Sequence, residues 1–260
     1  MKLKHFIATL ILLVVPVTYG TVTAQDAEEI SEKAMDAIKI QDMEMISTIN
    51  IYDARGNVRT RQISMASRKF TECTKMIIRF LAPADVKGTT LLVHDYEDKD
   101  DNQWIYMPAL RNVRRIVSTE KAKNFMGSEF TNADMSKPNL KDYEYKILGV
   151  EEYEGKSCWK IEAVCKTDKV RQENGFSKRV SLIDKNLYLC YKIEYYDLSD
   201  TMYRTQYISD YRKLEDGNYF AYKMTMENLK NGRKSEMIVD KFQLGSKLSE
   251  NIFSPSMLDK

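Results

Sequence analysis

The chain has 260 residues, 43% of them hydrophobic, with 40 Lys and Arg against 38 Asp and Glu and a net charge of +2. That balance excludes the overall basic excess expected of a nucleic-acid binder, and the length suits one domain with a sizeable core or two small ones. A single histidine beyond the first few residues, His94, excludes a multi-histidine metal centre.

Residues 1–24 read as a signal peptide. Lys2 and Lys4 form a positive start, residues 6–17 are an apolar run too short to span a bilayer comfortably, and Val22-Thr23-Ala24 supplies a small-residue cleavage pattern. Export with cleavage after Ala24 is expected, and without lipidation, because no cysteine stands near the cut. Residues 25–260 then form a single domain. Loss of Lys2 and Lys4 leaves the remaining basic residues balanced against the 38 acidic ones. No later segment approaches the roughly 18 to 20 apolar residues of a membrane helix.

Residues 26–40 place Ile30, Ala34, Ala37 and Ile38 at helical spacing, with acidic residues in the first turn. This predicts one amphipathic helix. The period then changes to two. Strands over 45–53 and 58–66 flank a turn at Arg55-Gly56-Asn57, and two more lead into the acidic turn before Trp104. A short helix is expected between Ser118 and Asn124. The second half repeats the hairpin style around Glu154-Gly155, Asp184 to Asn186, Asp216-Gly217-Asn218 and Asn231-Gly232.

About eleven strands joined by short turns describe an antiparallel meander, and a meander that long must curl, close or split into two sheets. Alternation separates a polar face from an apolar one rich in Tyr and Met: Trp159, Ile161 and Ala163; Leu187, Leu189, Tyr191, Ile193 and Tyr195; Phe220, Tyr222, Met224 and Met226. A helix about 22 Å long cannot cover such a face. Either its own side chains fill it or the sheet wraps a ligand cavity, for which methionine is an adaptable lining.

Catalytic signatures are missing. The chain has no nucleophile elbow, P-loop or GxGxxG, and any histidine-paired nucleophile would depend on His94 alone. No catalytic residue, metal ligand or cofactor is expected. The carboxylates at Asp98, Asp100 and Asp101 read as a solvated hairpin tip without EF-hand spacing. Cys73, Cys158, Cys165 and Cys190 are either four thiols or contain a bridge; strand parity excludes only Cys158 with Cys165.

One stretch carries a more specific pattern: Trp104, Tyr106, Pro108, Arg111 and Arg114-Arg115, then Phe125, Gly127, Ser128, Glu129, Phe130 and Asp134. It resembles the outer-membrane lipoprotein-sorting proteins, relatives of the LolA and LolB carriers. The resemblance spans most of the chain beyond the leader. It implies a mainly β fold, a curved, unclosed antiparallel β-barrel whose apolar concave side is covered by helices. It also implies a periplasmic role: carrying a lipid or lipid-modified protein, touching membranes transiently, and working with an inner-membrane RND-type transporter.

On that basis Trp104, Tyr106, Pro108, Phe125 and Phe130 are expected to line the cavity and its mouth. Arg111 and Arg115 would meet a head group or partner, and Gly127 would allow a tight turn or a close approach. The alternative is that the aromatics are core and the arginines pair with Glu120, Glu129 or Asp134. One acyl chain of about 15 methylenes costs on the order of 12 kcal/mol to expose to water, so a carrier must shield its cargo. A second reading is a non-catalytic accessory module that docks an export pump without carrying lipid. A hydrolase would need a carboxylate pair, for which Glu129 and Asp134 are candidates.

Overall fold

The computed structural model describes residues 24–39, 42–96 and 99–260. Residues 1–23, which hold nearly all of the expected signal peptide, lie outside the described residues, as does Asp98 of the acidic turn. The chain opens with α1 (Ala24–Ala37), then runs β1 (Met43–Tyr52), β2 (Val58–Lys69), β3 (Thr74–Ala82), β4 (Thr90–Asp95), β5 (Asn102–Met107) and β6 (Asn112–Arg115) as a meander. Residues 116–142 carry only α2 (Ser118–Lys121) and three single 3-10 turns. A second meander follows: β7 (Tyr143–Tyr153), β8 (Lys156–Cys165), α3 (Asp168–Asn174), β9 (Lys178–Asp184), β10 (Cys190–Tyr196), β11 (Met202–Lys213), β12 (Tyr219–Asn228) and β13 (Arg233–Leu244).

All thirteen strands join in one antiparallel sheet, ordered β6-β5-β4-β3-β2-β1-β13-β12-β11-β10-β9-β8-β7. The two meanders meet where β1 pairs with β13, so β6 and β7 are left as free edges and the curved sheet does not close. The chain must pass from one edge to the other after β6. Residues 116–142 make that passage across the concave side, which puts Ile116, Phe125 and Phe130 into the main core.

The expected strand count was short by two. The four-residue β6 was hidden in the run of arginines, because a strand that brief shows no usable alternation. The turns behave as their residues require. Glu154 and Gly155 both take positive φ, 49° and 74°, the mirror-image turn whose twist suits a hairpin. The predicted N-terminal helix begins two residues earlier and ends at Ala37, and it packs against β7 with Ala27, Ile30 and Ala34 buried. Helix α3 was missed. Thr167 caps its start by accepting from the Val170 N–H at 3.2 Å, and Gly175, at φ +73°, ends it.

Several ladders shift register, and one of these shifts breaks the expected grouping of side chains. Pairing between β9 and β10 shifts register between Cys190 and Lys192. This bulge returns Leu189 and Tyr191 to a small cluster with Cys158 and Leu182, while Ile193 and Tyr195 join the main core. The five residues from Leu187 to Tyr195 therefore do not share a face. Another cluster lies on the convex side, where residues 249–258 fold back over β2, β3, β4 and β5 and bury Phe253 and Leu258 against Ala66, Ile77 and Leu92. The four cysteines are free thiols, with Cys158 and Cys165 in different clusters.

Candidate functional site

Directly opposed residues in an antiparallel sheet share a face, so register alone lays out the concave side. One row runs Ile105, Leu91, Ile78, Met65, Met45, Phe242 across six strands. Another runs Ile49, Met237, Met224, Ile208. Over β1 to β5 this surface is mostly buried; over β7 to β13 buried residues such as Ile161, Tyr195, Met226 and Met237 alternate with half-buried ones, Ile147, Trp159, Ile193, Phe220, Tyr222, Met224 and Phe242. Phe220 and Phe242 lie 4.4 Å apart, centroid to centroid.

At one end of this surface the row is polar. It reads Tyr145, Ala163, Arg179, Tyr195, Arg204, Asn228, Arg233. The segment 116–142 lands here. Asp134 receives two hydrogen bonds from the Arg204 guanidinium, at 2.9 and 3.2 Å, with the arginine side chain 2% exposed. Glu129, equally buried, pairs with Arg233 at 2.9 Å and accepts from the Asn228 amide at 2.8 Å. Its backbone N–H donates to Ser235 Oγ at 2.9 Å. On the other half of the sheet, the Gln103 amide donates to Asn132 O and Ser136 Oγ, both at 3.0 Å. The crossing segment is thus tied to both meanders.

The expected site residues divide between the two faces of the sheet. Phe125 and Phe130 lie on the concave side, fully buried in the main core, with the Phe80 and Phe125 rings 5.7 Å apart. Trp104 and Tyr106 lie on the convex side in the cluster beneath residues 249–258, and Trp104 stacks edge-on with His94 at 4.9 Å. They do not share a wall with Phe125 and Phe130, because alternation in β5 turns Gln103 and Ile105 inward instead. Pro108 opens a 3-10 turn and packs on the β3–β4 turn, where a Cβ on Gly88 would stand 3.2 Å from its Cγ.

The cations also separate. Arg111 is exposed in a left-handed conformation, φ 48°, closing that turn. Arg115 sits on the convex face opposite Trp104 and donates to Asn102 Oδ1. Arg114 faces inward and pairs with Glu120 at 2.6 Å. Of the three carboxylates considered as partners, only Glu120 meets an arginine of this stretch; Glu129 and Asp134 take theirs from β13 and β11. Gly127 has φ +76° with open space where a Cβ would stand, so it serves the turn rather than a close approach.

Arg179, Arg204 and Arg233 escaped the sequence reading. Their signal was available: each falls at an inward position of its strand, in step with Ser181, Gln206 and Ser235. A charge on the apolar parity of a strand is the anomaly to look for.

His94 Nε2–H donates to Phe253 O at 2.9 Å, and burial holds its pKa below the ordinary value. A cleft of about 420 Å³ lies between the end of α1, the β4–β5 turn, residues 133–143 and α3. Half of its lining residues are charged, Asp95, Asp101, Asp142, Lys121 and Lys137 among them. Burial, reinforced by Asp101, pushes Asp95 up to about 6.

Among solved structures, the chain is similar to a domain from Vibrio parahaemolyticus proposed to be an outer membrane lipoprotein-sorting protein. They share 28% identity over 92% of this chain and 100% of that one, with a TM-score of 0.85. A DUF1329 family protein from Desulfovibrio piger is 26% identical over 90% and 98% of the two chains, TM-score 0.84. A LolA superfamily protein from Nitrosomonas europaea shares the fold at 19% identity over 88% and 97%, TM-score 0.69. A family model described only as an uncharacterized protein matches residues 72–260. No curated protein matches the chain.

Proposed function

The chain belongs to the outer-membrane lipoprotein-sorting family of LolA-like proteins, and from that premise we propose that it is a non-catalytic periplasmic carrier. It holds the acyl chains of a lipid or lipid-modified protein against the concave sheet and passes them between envelope membranes. The observation that carries this reading is the half-buried apolar surface of β7 to β13, where Ile147, Trp159, Ile193, Met224 and Phe220 face the concavity without being sealed by the fold. From Asn228 to Phe220 it extends about 26 Å along the strand, long enough for an acyl chain.

Export through residues 1–24 belongs to this proposal, as does an RND-type inner-membrane transporter as the partner to be sought. Glu129 and Asp134, the carboxylates a hydrolase would need, are each engaged by an arginine. This favours a structural role for both.

Native mass spectrometry on protein purified from periplasm without detergent, followed by solvent extraction, tests the carrier reading. A reproducible mass excess that extracts as an envelope lipid or acyl-modified protein is the expected result. Protein that emerges bare and takes no lipid from vesicles overturns it in favour of a docking module.

A further inference from the structure

Three arginines project from the polar row onto the concave side, and the crossing segment supplies carboxylates to only two of them. Arg204 has Asp134 and Arg233 has Glu129. Arg179, between Ala163 and Tyr195 in register, has no carboxylate partner among the described residues; its guanidinium rests 4.9 Å from the Tyr143 ring centre and faces the Tyr145 hydroxyl. A half-buried guanidinium ringed by Tyr143, Tyr145 and Tyr195, with no counter-charge, is a place where an anion is favoured.

A second observation points the same way. The Tyr145 hydroxyl, two strands from Arg179 in the same row, is buried, and among the described residues the Arg179 guanidinium is the one polar side chain it meets, so the two face one spot together. Its neighbours are committed: Tyr143 accepts from the Asn174 amide at 3.2 Å, and Tyr195 donates to Gln206 at 2.9 Å. Burial keeps Tyr145 protonated, with its pKa raised above the ordinary value, so it remains a donor.

We infer that Arg179 and Tyr145 hold the anionic end of the cargo. The inference rests on the carrier reading and names the chemical class: an amphiphile ending in a carboxylate or phosphate. A guanidinium presents parallel N–H donors matched to two oxygens of either group, and the Tyr145 O–H supplies a further donor. The adjoining residues Ile147, Ile193, Trp159 and Met224 lead away from this point along the half-buried surface, so the acyl chain lies there. The exposed Arg111 and Arg115 are not needed for it.

The test measures binding of palmitate, hexadecanol, palmitoyl lysophosphatidate and inorganic phosphate to the delipidated full-length exported protein. Wild type is expected to prefer at least one of the anionic lipids to hexadecanol by about tenfold or more; which one identifies the head group. Arg179→Gln erases that preference and leaves hexadecanol binding in place. Tyr145→Phe reduces it several-fold, and Arg179→Lys restores part of it. Should Arg179→Gln fail to fold, Tyr145→Phe and Arg179→Lys carry the test, each with a thermal melt as control.

Equal affinity of wild type for charged and neutral chains overturns the inference and leaves the carrier reading standing. An undiminished preference in folded Arg179→Gln overturns it as well. Inorganic phosphate binding as tightly as the lipids reassigns the site to a free anion and overturns the cargo role. Failure of every amphiphile to bind ends the carrier reading itself.

Discussion

Individual side chains in this protein are set by burial more than by their intrinsic chemistry. Asp95 has its pKa pushed up to about 6 by burial and by Asp101, against about 3.9 in an unfolded chain. A carboxyl raised in the folded state binds its proton more tightly there, so it does not weaken the fold below about pH 4. It destabilises progressively as pH rises through about 6. Asp95→Asn is therefore expected to stabilise the protein at pH 7.5 by about 1 to 3 kcal/mol. Urea melts of the two proteins should differ at that pH and converge near pH 4; a difference that stays constant across the range would show that folding leaves the Asp95 pKa unchanged. The thiols obey the same rule. Burial pushes Cys165 up to about 11 and Cys190 up to about 12, so the reactive thiolate is scarce at pH 8. Ellman's reagent should titrate all four cysteines in denaturant and leave these two unmodified over minutes in the native protein.

At the scale of elements, residues 116–142 are the part of the chain that lies across the concave side. The segment has little regular structure of its own. It is held by Phe125 and Phe130 in the core and by ion pairs at Glu129 and Asp134. Removing one partner of a buried pair leaves the other charge without compensation, at about 3 to 5 kcal/mol. Asp134→Asn should approach that cost, since Arg204 is almost wholly buried. Amide exchange is the informative readout. Faster exchange confined to residues 124–136 would mark the segment as a separable lid, while acceleration across β11 to β13 would show that it unfolds only with the sheet. The ion-pair partners were illegible in the sequence for a plain reason. Asp134 and Arg204 are 70 residues apart, and Glu129 and Arg233 are 104 apart, so no local spacing encodes either pair.

At the scale of the molecule, both faces of one sheet are in use. The concave side carries the proposed site, and the convex side is partly sealed by residues 249–258, with Phe253 1% exposed and its ring 5.7 Å from Phe70. Phe253→Ala should cost about 3 to 5 kcal/mol by uncovering Trp104 and Tyr106, and increased binding of a hydrophobic dye should accompany the lower melting temperature. Cargo binding should survive at temperatures where the variant is folded. Loss of lipid binding in the folded variant would instead couple the two faces through β5, where Trp104 and Ile105 point in opposite directions.

The sequence by itself determined that this protein is a long antiparallel meander with a helical start and a polar and an apolar face. Both follow from local physics: turn residues with positive φ set the hairpins, and a period of two assigns alternate side chains to opposite sides. Family membership was legible too, in the pattern from Trp104 to Asp134. Only the tertiary structure decided which face is concave in β10, because a bulge at Cys190 shifts the parity of the rest of that strand. It also placed Trp104 and Tyr106 outside the concavity and left Arg179 without a counter-charge. Those outcomes depend on how the sheet curves and where a 27-residue crossing lands, and contacts between distant strands settle both.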